Sequence, residues 1–342
     1  MKTIYKSIIF LLCLIALVAL SYYLQPIKKG AGSNTAIHYK LLANWPSLPK
    51  GMHLGNPVGL GMDTNQNVVL FHRAGRTWPL LGSMPGERIQ EATILVIGKD
   101  SGNLVSSWGQ DLFIMPHGLT VDKENNIWVT DVGLHQVFKF THDGKLLLKL
   151  GKPKEAGGDS IHFDKPTDVA IAKDGSFYVS DGYGNSRVVK FSAKGIYLFE
   201  WGRSGTAQGE FDIPHSITLD GNDNVYVADR ENNRIQVFNR DGKFIRQFYG
   251  NNFGSICAVA FDTPSSRLFA ADDFTYLKVK HRGSDVFVFD SSGNIHTRFG
   301  RSGSYAGSTC WYHDLAVDKD QNIYVGDILG NRLQKFEKVS HR

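Results

Sequence analysis

Three histidines recur inside one phrase of the sequence. "MPHGLTVD" from Met115, "IPHSITLD" from Ile213 and "WYHDLAVD" from Trp311 carry them as His117, His215 and His313. Copies of the phrase that lie between these have other residues at that place: Val58 in "PVGLGMD" and Thr167 in "KPTDVAIA", with a position near Cys257 that the pattern leaves undefined. Histidine therefore occupies the second, fourth and sixth of six copies. If the copies close into a ring, alternate members are related by threefold symmetry, and three imidazoles at one height converge on the axis. Neutral imidazole suits zinc, and three protein ligands with a fourth position open describe a catalytic rather than a structural site. The plainer alternative is that each histidine lines the channel and bonds a neighbouring backbone. His72, His135, His142 and His162 fall elsewhere in the repeat and are read as structural.

The elements that must position these side chains follow from the repeat itself. "PHGLTVDKENNIWVTDVGLHQVFKFTHDGKLLLKLG" from Pro116 aligns with the stretches that begin at Pro166 and Pro214, and weaker copies begin at Pro57, near Ile256 and at Tyr312. Each holds four short alternating or apolar runs separated by Asp, Asn and Gly turns, the pattern of a four-stranded antiparallel unit. The sixth copy stops after its third run. "AIHYKLLANW" from Ala36 resembles the fourth strands and can supply the missing one, closing the ring and leaving only short, protected edges. The expected fold is all-β, a six-bladed β-propeller whose repeats resemble the NHL family. Residues 1–35 are read as anchor or signal plus linker, and residues 36–342 as the propeller. Asp131, Asp181, Asp229 and Asp327 recur at one place in the clear copies and are read as turn-stabilising.

The chain has 342 residues, 42% of them hydrophobic, enough for a substantial core. Residues 1–29 hold four lysines and no acid, so the formal charge of +5 drops to +1 for the remainder. Such a balance excludes the basic surface that nucleic-acid binding requires. The run from Ile8 to Leu20 is wholly apolar and follows two lysines, reading as a secretory segment or a short membrane anchor, and no Ala-x-Ala cleavage site stands out. Either reading puts the propeller outside the cytoplasm. Beyond Cys13, only Cys257 and Cys310 remain, so one disulfide at most is open to the propeller and stability must come from packing.

Taken together, "MPHGLTVD", "PTDVAI...VSDGYGNSR", "PHSITL...VADRENNRIQ" and "VVLFHR" resemble the catalytic domain of peptidyl-α-hydroxyglycine α-amidating lyases, from about Leu41 to Phe336. The resemblance implies catalytic zinc on His117, His215 and His313. It implies a structural calcium on the carbonyls of Leu60 and Leu119 and the carboxylate of Asp314, oxygen ligands of the kind calcium takes. It also implies an active-site tyrosine at Tyr183 and functional arginines at Arg73 and Arg230, residue types suited to proton transfer and to gripping a carboxylate. The sequence departs from the family at Gly184, where a cysteine is usual, at Trp311, where a pocket methionine is usual, and in the insertion from Thr275.

The expected activity is cleavage of an N-acyl-α-hydroxyglycine to a primary amide and glyoxylate. The expected substrate is a peptide or small molecule ending in α-hydroxyglycine, and the chain is expected to be monomeric, tethered to a membrane only by its N-terminal segment. Three rivals remain: a non-catalytic propeller that binds proteins through its rim, a calcium-dependent lactonase, and a lyase acting on small carbinolamides such as ureidoglycolate.

Overall fold

The computed structural model describes residues 37–79, 83–249, 254–273, 284–290, 292–300 and 310–339. The apolar run from Ile8 to Leu20, Cys13 and most of the insertion from Thr275 lie outside them. All regular elements among the described residues are strands, numbered β1 to β24 in chain order, and they form six four-stranded antiparallel sheets. Blades one to five are meanders: β2–β5 (57–108), β6–β9 (116–150), β10–β13 (166–201), β14–β17 (214–249) and β18–β21 (256–300). Blade six joins β22–β24 (312–339) to β1 (His38–Leu41), which pairs with β24 from His38 opposite Val339 to Leu41 opposite Phe336. The protein is a six-bladed β-propeller, and its first strand supplies the outer strand that the last repeat lacks.

The second strand of each of the first four blades is buried throughout, as "FYVSD" of blade three illustrates. Such strands meet side chains on both faces, because the core lies between blades. Val69 and Phe71 of blade one pack with Ile127, Val129 and Phe138 of blade two, and Phe269 and Val288 of blade five pack with Leu315 and Ile323 of blade six. Apolar burial contributes about 25 cal/mol per Å², and here it is shared across neighbours, so each blade depends on the next. The outer turns use glycine for two reasons at once. Gly144 and Gly242 have φ of +93° and +74°, and a Cβ on them would stand 3.0 Å from Trp108 and 2.8 Å from Trp201 of the preceding blade.

One irregularity of the six inner strands bears directly on the site. In each, pairing with the second strand slips at the same place: between Pro57 and Gly59, Pro116 and Leu119, Pro166 and Asp168, Pro214 and Ser216, Ile256 and Ala258, and Tyr312 and Asp314. A bulge of this kind leaves a residue out of the ladder and re-aims its side chain. The residues within these slips include Val58, His117, Thr167, His215, Cys257 and His313, which makes Cys257 the fifth member of the series. The recurring aspartates anchor the segment leading into the bulge. Asp131 accepts from Ile114 N–H at 2.7 Å, Asp181 from Asp164 N–H at 2.9 Å, Asp229 from Asp212 N–H at 2.7 Å and Asp327 from Trp311 N–H at 2.8 Å. In blade one His72 takes this place, its Nδ1 accepting from Gly55 N–H at 3.3 Å.

Candidate active site

His117, His215 and His313 are all buried, their ring centroids lie 4.7 to 4.9 Å apart, and one ring nitrogen from each falls within 4.8 Å of the others. The other nitrogen of each ring is committed. Nδ1 lies 2.7 Å from Thr167 O in His117, 2.7 Å from Cys257 O in His215 and 2.9 Å from Val58 O in His313. A carbonyl only accepts, so Nδ1 carries the proton and Nε2 keeps its lone pair. Each histidine bonds a neighbouring backbone, and that bond turns its other ring nitrogen toward the two partner rings. Burial, with Arg73 next in weight, lowers His117 to about 3. Burial and the neighbouring imidazoles hold His215 and His313 well below the usual histidine range. All three are therefore neutral at pH 7, the state in which imidazole binds a metal.

The blades without histidine provide the frame. Their bulged residues give the three carbonyls just named, and two of them also secure the next histidine from behind. Thr167 Oγ1 donates to Pro214 O at 2.7 Å, and Cys257 Sγ donates to Tyr312 O at 2.8 Å. Val58 has no donor to offer, and Arg73 takes over in blade one, its Nε donating to Pro116 O at 3.0 Å. Odd blades supply the orienting groups, and even blades present the three imidazoles.

Tyr183 and the two arginines converge on this ring. Tyr183 Oη lies 3.2 Å from His117 Nε2 and 3.0 Å from His215 Nε2, and Arg230 Nη1 approaches it at 3.5 Å. Burial pushes the phenol above its ordinary value, although Arg230 and Arg73 pull the other way. The arginines differ in their partners. Arg230 pairs with buried Asp273 at 3.0 Å, and although burial opposes its charge, Tyr183 and Asp273 together hold it above its ordinary value. Arg73 is buried, its Nη2 has no hydrogen-bond partner among the described residues, and burial lowers it to about 10. Trp78 lies against both groups, with its ring 4.9 Å from that of Tyr183 and 5.3 Å from the Arg73 guanidinium carbon.

Farther along the inner strands, Leu60, Leu119, Asp168 and Asp314 line a channel cavity of about 280 Å³. Asp314 accepts from Leu60 N–H at 2.7 Å and from Leu315 N–H at 2.8 Å. Since N–H and C=O of one strand residue point to the same side, the Leu60 carbonyl also faces the channel. Asp168 accepts from Ser216 Oγ at 2.9 Å and Ile217 N–H at 3.0 Å. Burial raises Asp168 to about 7, and burial together with the charge of Asp168 raises Asp314 well above the usual carboxylate range. Two carboxylates and the Leu60 carbonyl form a set of hard oxygen donors fit for calcium.

Known proteins resemble this chain in sequence and in fold. The NHL repeat model matches residues 113–140, 163–191 and 211–238. The chain is 36% identical over 331 residues to "Peptidyl-glycine alpha-amidating monooxygenase B" of Xenopus laevis, which covers 90% of this chain but 37% of that protein. It is 32% identical over 323 residues to "Probable peptidyl-alpha-hydroxyglycine alpha-amidating lyase" of Caenorhabditis elegans, covering 90% of each chain. The chain belongs to the peptidyl-α-hydroxyglycine α-amidating lyase family. Among solved structures, a gluconolactonase from Xanthomonas campestris aligns with a TM-score of 0.59 over 88% of this chain and 90% of its own at 16% identity, a likeness of fold alone.

Several residues of this family member were not singled out by sequence. Asp273, which pairs with Arg230, directly follows its blade's second strand, as Arg73 and Arg230 do in theirs, so the repeat held a signal for it. Trp78 lies in a connection without repeat, and Asp168, the repeat equivalent of Asp314, lines the same cavity. Cys257 and Cys310 are both free and buried, which leaves no disulfide between them. Gly184 leaves room that Asp164 fills: a Cβ there would fall 1.9 Å from the Asp164 carboxyl carbon. The histidines read as structural have local partners, His135 Nδ1 accepting from Lys165 N–H at 3.1 Å, His142 Nε2 lying 3.1 Å from Asp63 and His162 Nδ1 lying 2.8 Å from Asp159.

Proposed function

We propose that the protein cleaves an N-acyl-α-hydroxyglycine, the product class of a peptide-oxidising step, into a primary amide and glyoxylate. The observation that carries this reading is the convergence of three neutral imidazoles, the Tyr183 hydroxyl and the unsatisfied Arg73 guanidinium nitrogen on one buried place. Three neutral histidines with an open side fit zinc, which when bound polarises a hydroxyl and lowers its pKa.

In this reading the substrate carboxylate docks on Arg73, since Arg230 already has Asp273 as its counter-charge. The carbinol hydroxyl then lies toward the histidines and Tyr183 Oη. Collapse moves the hydroxyl proton to Tyr183, forms the glyoxylate C=O and breaks the C–N bond. The nitrogen leaves with the bonding electron pair and takes up a proton, which Tyr183 is placed to return. Burial opposes a phenolate, so this role needs positive charge at the histidines in addition to Arg73 and Arg230. Arg230, 3.5 Å from Tyr183 Oη, stabilises the charge while it lasts.

Calcium on Leu60, Leu119 and Asp314 is proposed as a structural ion. The N-terminal apolar segment supports an extracytoplasmic setting with a membrane tether. The test is glyoxylate release from N-benzoyl-α-hydroxyglycine, a peptidyl-α-hydroxyglycine and ureidoglycolate. Release from the first two supports the proposal, release from ureidoglycolate alone favours a small-carbinolamide lyase, and release from none overturns it.

A further inference from the structure

A cavity of about 650 Å³ begins at the ring of Tyr183, the residue whose hydroxyl contacts the histidines. Its walls include Trp78, Pro79, Met84 and Pro85 from the segment after β3 (Val68–His72), and Lys154 is part of its lining. Its size lies within the range of roughly 300 to 1,000 Å³ typical of small-ligand pockets. Trp78 and Met84 are partly buried against the core between blades one and two, which gives the wall a fixed backing. Lys154 is held in place by a hydrogen bond from Nζ to Gly86 O at 2.8 Å. Lys165, also in the lining, is offset by Asp164 at 3.4 Å, whereas Lys154 has no ion-pair partner among the described residues.

A substrate anchored as above has its carboxylate at Arg73 and its hydroxyl at the histidines and Tyr183 Oη. The remaining polar substituent of the carbinol carbon is the acylated nitrogen, and the acyl group must extend away from those two contacts. The cavity borders both anchoring groups, being lined by Tyr183, one of those contacts, and by Trp78, which lies against Arg73.

We propose that this cavity is the subsite for the residue acylating the hydroxyglycine nitrogen and that it selects a large apolar side chain over glycine and over a cationic one. The inference rests on the lyase reading. Aromatic, thioether and proline surfaces gain by covering an apolar side chain, whereas Lys154 repels a cation placed in the same space.

The test is the ratio of kcat/KM values for glyoxylate release from N-acetyl-X-α-hydroxyglycine with X as Phe, Leu, Gly or Lys, using the full chain. Phe and Leu should exceed Gly by roughly tenfold or more, Lys should fall below Leu, and Met84→Ala and Trp78→Ala should move the Leu to Gly ratio toward one. Glyoxylate release with a ratio near one in the unaltered protein would overturn the subsite while leaving the lyase reading intact, and so would a ratio unchanged in both variants. No release from any of the four would overturn the lyase reading and the subsite with it.

Discussion

His313 and Asp314 are neighbours in the chain, yet they serve different parts of the channel. His313 joins two other imidazoles beside Tyr183, whereas Asp314 faces a second cavity lined also by Asp168. The first place gathers neutral nitrogen donors under two arginines, and the second gathers carboxylates and carbonyls without a nearby basic side chain in its lining. A single step along a bulged strand therefore separates a borderline-soft donor set from a hard one, the kind of difference by which sites select metals. The bulge makes this possible, because in an unbroken strand successive residues would alternate strictly between the faces of the sheet.

The largest effect should follow from His215→Ala. It removes one of three nitrogens and leaves Cys257 O without its donor, so bound zinc measured by mass spectrometry and glyoxylate release should both fall to background, while added calcium still raises the melting temperature. Tyr183→Phe should keep zinc and lower kcat by roughly 10² to 10⁴, the usual contribution of a positioned proton-transfer group. Undiminished turnover would remove Tyr183 from the chemistry. Arg73→Met should lower kcat/KM by roughly 10- to 100-fold, the loss expected for a hydrogen bond to a charged group, and chiefly through KM. Because Arg73 Nε also supports Pro116 O, a small fall in zinc affinity should accompany it.

The carboxylate end should give the smallest and most conditional effects. The folded protein protonates Asp168 more readily than the unfolded chain does, so between 3.8 and about 7 the native state holds a proton that the unfolded state has released. Stability in chelator should therefore fall as pH rises through that window, and the fall should continue above it as Asp314, held well above the usual carboxylate range, gives up its own proton. Asp168→Asn should flatten this slope, and saturating calcium should oppose it in the unaltered protein by about 2.7 kcal/mol at a hundredfold excess over Kd. Melting curves with the same pH slope in the unaltered protein and in Asp168→Asn would show that this carboxylate does not carry the charge cost.

Much of this was legible in the sequence because a repeat converts position into geometry. The parity of His117, His215 and His313 was enough to bring three imidazoles to an axis, and the missing last strand was enough to assign β1 to blade six. What the repeat could not convey is where a strand departs from its own period. The bulge adds a residue without changing composition, so Cys257 stayed undefined. Trp78 was hidden for another reason: it belongs to a connection that has no equivalent in other blades, and only packing on Tyr183 and Arg73 gives it meaning. The carbonyl partners of the histidines were invisible because backbone acceptors leave no mark on side-chain type.

The central claim is that the three-histidine ring holds the ion on which carbon–nitrogen cleavage depends. Zinc titrated into metal-stripped protein, with bound zinc and glyoxylate release from N-benzoyl-α-hydroxyglycine read in the same samples, tests it most directly. Turnover should rise in step with zinc and break at about one ion per chain, and calcium alone should restore stability without turnover. Full glyoxylate release from protein free of zinc would contradict the account.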